Sequence, residues 1–281
     1  MTVLQAMLLG LIQGLTEFLP VSSSGHLSIF QNLFGMSKNG TDNVLFDVLL
    51  HLATLASVCF AYRGDLAAIV RDCLSFIYAA RHPEPGAEKR RYPGARLLFM
   101  IVLATLPLFL VLPIHKEIEK LYNSTVFIGI ALILTGAMLW VSDRMPRGRK
   151  KGKTMGVWDA LLVGVSQAIA TVPGLSRSGT TISAGIAAGL DRQFAVKFSF
   201  LLSIPAVLGA NLLALIDAFQ EGIDWASVPA CLLGMLVAMV VGYAAILLLR
   251  YIVRRGKFGL FAYYCAFAGV LTLLLTIILK K

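Results

Sequence analysis

The sequence predicts an all-α integral membrane protein with six transmembrane helices and two re-entrant helical hairpins arranged as an inverted-topology repeat. Three observations predict this fold: an apolar composition, six long apolar segments and two broken ones that resemble each other. Of the 281 residues, 58% are hydrophobic and only 14% are charged, with a mean hydropathy of +0.80. Soluble domains carry charge on about a quarter of their residues. The composition therefore excludes a soluble enzyme and a disordered chain.

Six segments are each long and apolar enough to cross a hydrocarbon core of about 30 Å as a helix. They comprise residues 44–62, 95–113, 123–142, 195–217, 227–249 and 259–279. We expect one membrane domain over residues 1–281, with its chemistry in the membrane or at the membrane surface.

Two further apolar segments, 3–34 and 157–190, are interrupted by polar stretches that contain Pro and Gly. The interruptions read Pro20-Val-Ser-Ser-Ser-Gly-His26 and Pro173-Gly-Leu-Ser-Arg-Ser-Gly-Thr-Thr181. Pro and Gly end helices, and each remaining half is too short to span a bilayer. We expect both segments to be re-entrant hairpins whose tips are buried in protein.

The two broken segments repeat each other. Gly10 and Gln13 match Gly164 and Gln167 at an offset of 154 residues, and Pro20 and Ser23 match Pro173 and Ser176 at an offset of 153. Three spans separate the hairpins, so the repeats, about 1–142 and 157–281, would have opposite topology, as in many transporters. Chance similarity between apolar segments is the alternative.

The formal net charge of +10 comes from 25 basic and 15 acidic residues. Seventeen of the 25 basic residues lie in three loops, 62–96, 143–153 and 250–257. If the hairpins do not cross the membrane, all three loops fall on one side, which the positive-inside rule assigns to the cytoplasm. Both termini then lie on the opposite, periplasmic side of the membrane. The charge indicates topology and contact with membrane lipids, not a nucleic-acid partner.

The second interruption has the composition of an anion site. We expect a helix to begin around Ser176 and to run to about Gly189, with free N–H groups and a positive dipole end that suit an anion. Ser178 and Thr181 add hydroxyl groups, and Arg177 adds a charged fork that matches phosphate oxygens. In the alternative, Ser176 only caps the helix while Arg177 snorkels or pairs with a carboxylate.

The first interruption supplies groups for acid–base or nucleophilic chemistry. Gln13 and Glu17 are four residues apart and share a helix face, and Ser23 and His26 follow closely. A carboxylate in an apolar helix indicates function, whereas a single histidine is more often a satisfied buried group. Together the two tips would form a phosphoryl-transfer site. Because a nucleotide-binding Gly-x4-Gly-Lys-[Ser/Thr] loop is absent from the sequence, a lipid phosphate is the expected substrate.

These motifs resemble those of bacterial undecaprenyl-diphosphate phosphatases of the bacitracin-resistance type. The resemblance rests on Gln13-x3-Glu17, the Pro20–His26 stretch and Pro173-Gly-x-Ser-Arg-Ser-x-x-Thr181, and it extends over essentially the whole chain. It implies removal of the terminal phosphate from undecaprenyl diphosphate, which recycles the lipid carrier for peptidoglycan synthesis and confers bacitracin resistance. It also implies a site open to the periplasm and dependence on a divalent cation.

The resemblance implies a set of site residues. The central ones are Glu17, Ser23, His26 and Arg177, with Gly174, Ser176, Ser178 and Thr181 around the phosphates. We expect Arg177 to clamp the diphosphate and Glu17, helped by Gln13, to contact Mg²⁺ or Ca²⁺, because hard cations prefer oxygen ligands. The family motif has Glu or Gln at the first position, and Gln13 is the weaker ligand. The nucleophile stays open between His26, Ser23 and water; imidazole is favoured because a serine needs activation.

Asp47, His51 and Asp159 are secondary candidates. Asp47 and His51 lie four residues apart in the first span and either face the cavity or hydrogen-bond to each other, and Asp159 lies at the entry to the second hairpin. The competing function is an inverted-repeat transporter or flippase for a polyprenyl phosphate lipid. The two tips carry different residues, which favours catalysis. A homodimer through lipid-facing glycines in 227–249 stays open.

Overall fold

A computed structural model describes residues 2–33, 41–82, 92–221 and 225–279. Within these ranges the chain is helical apart from loops and one isolated bridge between Lys150 and Leu190. The α-helices of the first half are α1 (Val3–Phe18), α2 (Ser23–Leu33), α3 (Thr41–Ala61), α4 (Arg63–Arg81), α5 (Pro93–Thr105), α6 (His115–Lys120) and α7 (Thr125–Arg144). Those of the second half are α8 (Val157–Ile169), α9 (Arg177–Ala187), α10 (Arg192–Glu221), α11 (Val228–Arg254) and α12 (Leu260–Leu279).

Six segments of the described chain have the length and composition of membrane-spanning helices. They are Val44–Ala61, Pro93–Ile118, Thr125–Arg144, Arg192–Ile216, Val228–Arg254 and Leu260–Ile278. The six predicted spans are therefore confirmed, with small differences at their ends. Large apolar side chains such as Val240, Phe267 and Ile277 are exposed on the outer surface, as expected where lipid replaces water. The chain is a multi-pass membrane protein.

The two broken apolar segments form the helix pairs α1–α2 and α8–α9. Their members have 16, 11, 13 and 11 residues, so at 1.5 Å per residue none is longer than about 24 Å. The first break includes Ser22, a non-glycine residue with a φ of 69°. The second includes Gly174 with a φ of 85°, where a Cβ would lie 2.8 Å from the Cβ of Ala131. Only glycine adopts this positive φ without strain and also lacks the Cβ that would collide with Ala131.

The first helix of each pair packs against a helix of the opposite half of the chain. The contacts pair α1 with α11 and α8 with α5, while α3 packs on α10 and α7 on α12. A Cβ on Gly10 would overlap the backbone of Gly234, and a Cβ on Gly164 would overlap the backbone of Ala104. The glycines of the predicted repeat are thus the points of closest helix approach.

One buried core packs against the helices that flank both breaks. Phe18 at the end of α1, Leu139 of α7, Ile182 of α9 and both Phe198 and Leu201 of α10 belong to one cluster and are at most 3% exposed. The ends of α1 and the beginning of α9 are therefore held by the same packed side chains.

Two predictions about these elements are wrong. The basic stretch 62–96 was expected to be a loop, but it contains α4, which packs against α5. Its charges alternate with apolar residues at helical spacing, and the charge content obscured this pattern. Gly234 and Gly242 of α11 were expected to face lipid, but they are buried against α1 and against Phe18. The homodimer stays a prediction without support from these glycines.

Candidate active site

Glu17 lies in the last turn of α1, and its carboxylate is the group at which several polar side chains meet. The side chain is 4% exposed. Its Oε2 accepts hydrogen bonds from Ser23 Oγ at 2.6 Å and from Gln13 Nε2 at 3.1 Å. The four-residue spacing places Gln13 one turn before Glu17 on the same helix face. The reversal between α1 and α2 then brings Ser23 back to the same carboxylate.

Arg177, in the first turn of α9, forms an ion pair with the other oxygen of this carboxylate. Its Nη2 donates to Glu17 Oε1, although the two residues are 160 positions apart in the sequence. The Arg177 side chain is 29% exposed, so the guanidinium group stays partly accessible while Glu17 is enclosed. A buried carboxylate needs such a partner. One alternative from the sequence was that Arg177 pairs with a carboxylate. That carboxylate is Glu17 of the first tip.

The two tips also touch through other groups. Ser178 Oγ donates a hydrogen bond to the carbonyl oxygen of Leu19 at 3.3 Å, and the N–H of Gly174 points to Ser24 Oγ at 3.5 Å. Sequence reasoning predicted that the tips combine into one site, and their contact brings Glu17, Ser23 and Arg177 together.

The hydroxyl groups of Ser176, Ser178 and Thr181 in the second tip hydrogen-bond to the protein itself, whereas Thr180 Oγ1 is buried without a partner in the described part of the chain. Ser176 caps α9, because its Oγ accepts a hydrogen bond from the N–H of Gly179 at 3.1 Å. Thr181 Oγ1 donates to the carbonyl oxygen of Arg177 at 2.8 Å and shares a second hydrogen bond with Ser199 Oγ. These bonds hold the turn that carries Arg177. Contact of Ser176, Ser178 and Thr181 with phosphate stays a prediction.

His26 lies in the first turns of α2 and has one partner for each ring nitrogen. Nδ1 lies 2.8 Å from the carbonyl oxygen of Ser22, and Nε2 lies 2.6 Å from the hydroxyl of Tyr264 in α12. A carbonyl oxygen can only accept, so Nδ1 carries a hydrogen. In the neutral ring, Nε2 then accepts the hydrogen bond from Tyr264. No hydrogen bond joins His26 directly to Glu17 or Arg177 among the described residues.

A small cleft with a cavity volume of about 10 Å³ borders the ion pair. Its lining residues are Glu17, Phe18, Arg177, Ser178, Ser199, Phe200 and Ser203. The cleft therefore combines the two charged groups with three hydroxyl groups and two aromatic rings. Partly accessible Arg177 and the adjacent hydroxyls offer hydrogen-bond donors to an anion.

Comparison with known proteins relates this arrangement to one family. Residues 6–271 match the sequence profile of the family described as bacitracin resistance protein BacA. The undecaprenyl-diphosphatase of Desulfosudis oleivorans is 40% identical over 96% of this chain and 97% of its own. Those of Carboxydothermus hydrogenoformans and Alkaliphilus metalliredigens are 39% and 37% identical, over 96% and 99% of this chain and 96% and 100% of their own. The chain belongs to the bacitracin resistance protein BacA family.

The secondary candidates occupy two different places in this BacA family member. His51 is close enough to Glu17 to interact with its charge, and its Nδ1 donates to the backbone carbonyl of Asp47 at 2.7 Å. Asp159 instead accepts from Lys150 Nζ at 2.8 Å and from the N–H of Gly156 at 2.8 Å. Asp159 therefore fixes the start of α8, whereas His51 lies near the ion pair.

Metal ligands are sparse at this BacA-family site. Across the described residues, His, Cys, Asp and Glu nowhere gather in a group of three that could hold an ion. Glu17 and Gln13 are neighbours that offer oxygen atoms, and Mg²⁺ is often held by one or two carboxylates together with substrate phosphates. The residues present thus fit a cation that the substrate helps to bind.

Sequence reasoning missed two contributors to the site. Tyr264 holds His26, and Ser199 holds Thr181. Both are polar groups on long membrane spans, and a hydroxyl in an apolar environment needs a partner. That signal indicates that a partner exists, but the partner lies on another helix and the sequence does not identify it.

Proposed function

We propose that this chain hydrolyses undecaprenyl diphosphate to undecaprenyl phosphate and inorganic phosphate, recycling the lipid carrier for peptidoglycan synthesis and conferring bacitracin resistance. Full-length relatives named undecaprenyl-diphosphatase support the substrate. The observation that carries the proposal is the meeting of Ser23 and Arg177 on the carboxylate of Glu17. A nucleophile, its base and a phosphate clamp are the parts that this reaction needs.

Arg177 is proposed to bind the diphosphate. Its guanidinium group pairs with Glu17 and is partly accessible, so incoming phosphate oxygens can take up the remaining donors of the planar fork. Positioning and charge neutralisation dominate phosphoryl transfer. Arg177 therefore serves to hold the terminal phosphate and to stabilise the charge that develops on it.

Ser23 gains support as the nucleophile from its hydrogen bond. Its hydroxyl proton already has an acceptor in Glu17 Oε2, at 2.6 Å, which supplies the activation that a serine needs. His26 Nε2 would have to give up the hydroxyl of Tyr264 before it attacked phosphorus. We propose that Glu17 takes the proton of Ser23 while Ser23 Oγ bonds to the terminal phosphorus and undecaprenyl phosphate leaves. Water then cleaves the phosphoserine and releases inorganic phosphate, and His26 and Tyr264 position the neighbouring loop.

Trapping the phosphorylated protein separates the three nucleophiles. Attack by Ser23 leaves an acid-stable phosphate on the protein, attack by His26 leaves an acid-labile one, and attack by water leaves none. Rapid acid and alkaline quenching of protein mixed with labelled substrate distinguishes these results. An acid-labile phosphate that disappears in the His26→Ala variant overturns the assignment of Ser23.

A divalent cation, Mg²⁺ or Ca²⁺, is part of this proposal. Glu17 and Gln13 would hold it together with oxygens of the diphosphate, and it would add positive charge at the leaving phosphate. Removing free cations with a chelator is expected to abolish phosphate release, and adding Mg²⁺ or Ca²⁺ to restore it. Full activity of protein and substrate both freed of cations contradicts this part.

We also propose that α1–α2 and α8–α9 are re-entrant hairpins of an inverted repeat. The packing supports this proposal, because the two halves make equivalent contacts. If α1 corresponds to α8 and α11 corresponds to α5, the α1–α11 contact of one half matches the α8–α5 contact of the other. With this arrangement the basic loops lie in the cytoplasm, and the termini and the opening of the site lie on the periplasmic side. The variants Thr2→Cys and Lys153→Cys, labelled with a thiol reagent from either side of vesicles, test this orientation.

The same symmetry favours a second candidate, a transporter or flippase for a polyprenyl phosphate lipid. Phosphate release by the purified protein in detergent distinguishes the two, because detergent leaves no compartments for transport. We expect release from undecaprenyl diphosphate that depends on Glu17 and Arg177. Purified, monodisperse protein that binds the lipid without releasing phosphate overturns the hydrolase and leaves the transporter.

A further inference from the structure

A second and larger cavity lies apart from the candidate active site. Its volume is about 300 Å³, and it lies between the α3–α4 junction, the beginning of α10 and the end of α11. The polar residues of its lining are mostly charged: Asp65, Lys151, Asp191, Lys197, Arg250 and Arg254. These residues come from regions far apart in the sequence, so the cavity exists only in the folded chain.

The lining carries two positive charges more than it carries negative ones. Of its four basic side chains, Lys197 pairs with Asp65, and Arg250 lies over the ring of Tyr62 with its guanidinium carbon 5.7 Å from the ring centre. Lys151 and Arg254 form no ion pair with any residue that the structure describes. An anion that enters the cavity therefore meets unneutralised cations.

Asp191, the second acidic residue of the lining, accepts a hydrogen bond from the backbone. Asp191 precedes α10, and its Oδ1 accepts a hydrogen bond from the N–H of Phe194 at 3.2 Å. The first turn of α10 borders the cavity through Gln193 and Phe194, so the positive end of this 30-residue helix faces it. The helix dipole adds to the positive potential of the basic side chains.

Three aromatic rings separate this cavity from the cleft beside the ion pair. Phe200 contacts Phe18 edge to face at a centroid distance of 5.4 Å and Tyr62 at 6.2 Å. Phe18 and Phe200 line the cleft, Tyr62 lines the cavity, and all three are at most 4% exposed. Along α10, Lys197 borders the cavity and Ser199 is the first residue that borders the cleft, about 3 Å further along the helix.

We propose that the cavity between α3, α10 and α11 is a second anion site, which binds a phosphate group. The surplus of two positive charges matches a phosphate monoester or inorganic phosphate, which carries close to two negative charges at neutral pH. Arg250 and Arg254 offer planar donors suited to phosphate oxygens. The phosphate belongs either to a lipid headgroup or to free phosphate. This site does not depend on the hydrolytic function proposed above.

Paired variants at neighbouring positions test the site. The cavity pair is Lys151→Gln with Arg254→Gln, and the matched control pair is Lys153→Gln with Arg255→Gln. Lys153 and Arg255 are exposed basic residues of the same two loops that do not line the cavity. Both pairs are made in an Arg177→Ala background, which weakens anion binding at the candidate active site. Since both pairs remove two positive charges, any effect on membrane orientation is matched.

Binding of farnesyl phosphate and of inorganic phosphate to the detergent-purified proteins is measured by calorimetry. We expect the cavity pair to weaken binding about tenfold or more, because two charge-assisted contacts are lost, and the control pair to leave it unchanged. Tighter binding of farnesyl phosphate than of inorganic phosphate indicates a lipid headgroup, and equal binding indicates free phosphate.

Equal affinities of the cavity pair and the control pair for both probes overturn the second site. If a double variant is not monodisperse by gel filtration, Arg254→Gln is compared with Arg255→Gln alone. The same cavity pair in a chain with Arg177 intact is expected to hydrolyse undecaprenyl diphosphate in detergent at the unaltered rate. Failure of the second site is thereby distinguished from failure of the hydrolase.

Discussion

The two broken helix pairs have similar backbones and different chemistry. Each begins with an apolar helix that carries a buried glutamine, turns through a polar break and continues in an 11-residue helix. Gln13 donates to Glu17, whereas both amide atoms of Gln167 lie buried without a hydrogen-bond partner in the described part of the chain. The similar backbones therefore place polar residues at both breaks, and the two breaks differ in the contacts that their side chains make.

The first tip holds the anionic group, and replacing Glu17 is expected to have the largest effect. Glu17→Gln removes the acceptor for Ser23 and the partner of Arg177, so we expect phosphate release to fall about a thousandfold. The matched control is Glu117→Gln, because the Glu117 side chain is 70% exposed and pairs with Lys120. Release from undecaprenyl diphosphate in detergent measures both. A Glu17→Gln variant within threefold of the control contradicts a role for Glu17 as base.

The second tip holds the cation, and its geometry matters as well as its charge. Arg177→Lys keeps the charge but loses the planar fork, so we expect kcat/KM to fall about a hundredfold. Arg144→Lys serves as control, since Arg144 is exposed and stacks on Trp140. Turnover of Arg177→Lys close to that of the control removes the bidentate clamp from the mechanism.

His26 of the first tip has no counterpart in the second tip. The hydroxyl of Tyr264 hydrogen-bonds to its imidazole ring. Tyr264→Phe keeps the ring and deletes the hydroxyl, so we expect kcat to fall about tenfold with little change in KM. Tyr263→Phe, at the neighbouring and exposed position, is the control. A parallel rise in KM, or an equal effect of the two variants, argues against positioning of His26 through this hydrogen bond.

Replacing Gln13 and Gln167, which occupy equivalent positions in the two hairpins, is expected to have the smallest effects. Gln167→Leu removes an unpaired buried amide, and we expect the melting temperature of the purified protein to rise by about 2 °C with activity unchanged. Gln13→Leu deletes a hydrogen bond to Glu17, and we expect it to lower activity. Equal behaviour of the two variants contradicts the difference in use between the tips.

Much of this fold could be predicted from the sequence, because apolar runs of about 20 residues and Pro- or Gly-containing breaks are local signals. The membrane spans and both breaks, including the one at Pro20, were therefore correctly placed. The helix α4 was missed because its arginines resemble those of a topogenic loop. Local patterns do not report partners across the bundle, so the sequence indicated neither Tyr264 behind His26 nor the burial of Gly234 against Gly10.

Glu17 and its cationic partner are separated by 160 positions, and this distance has a consequence for biosynthesis. A ribosome that has delivered only the first hairpin to the membrane has exposed a carboxylate, a serine and an imidazole without Arg177, the proposed phosphate clamp. We therefore expect the growing polypeptide to stay inert towards lipid diphosphates until its second half is inserted and packed. Hydrolysis would then report that assembly is complete, and two separately expressed halves would acquire it only by joining.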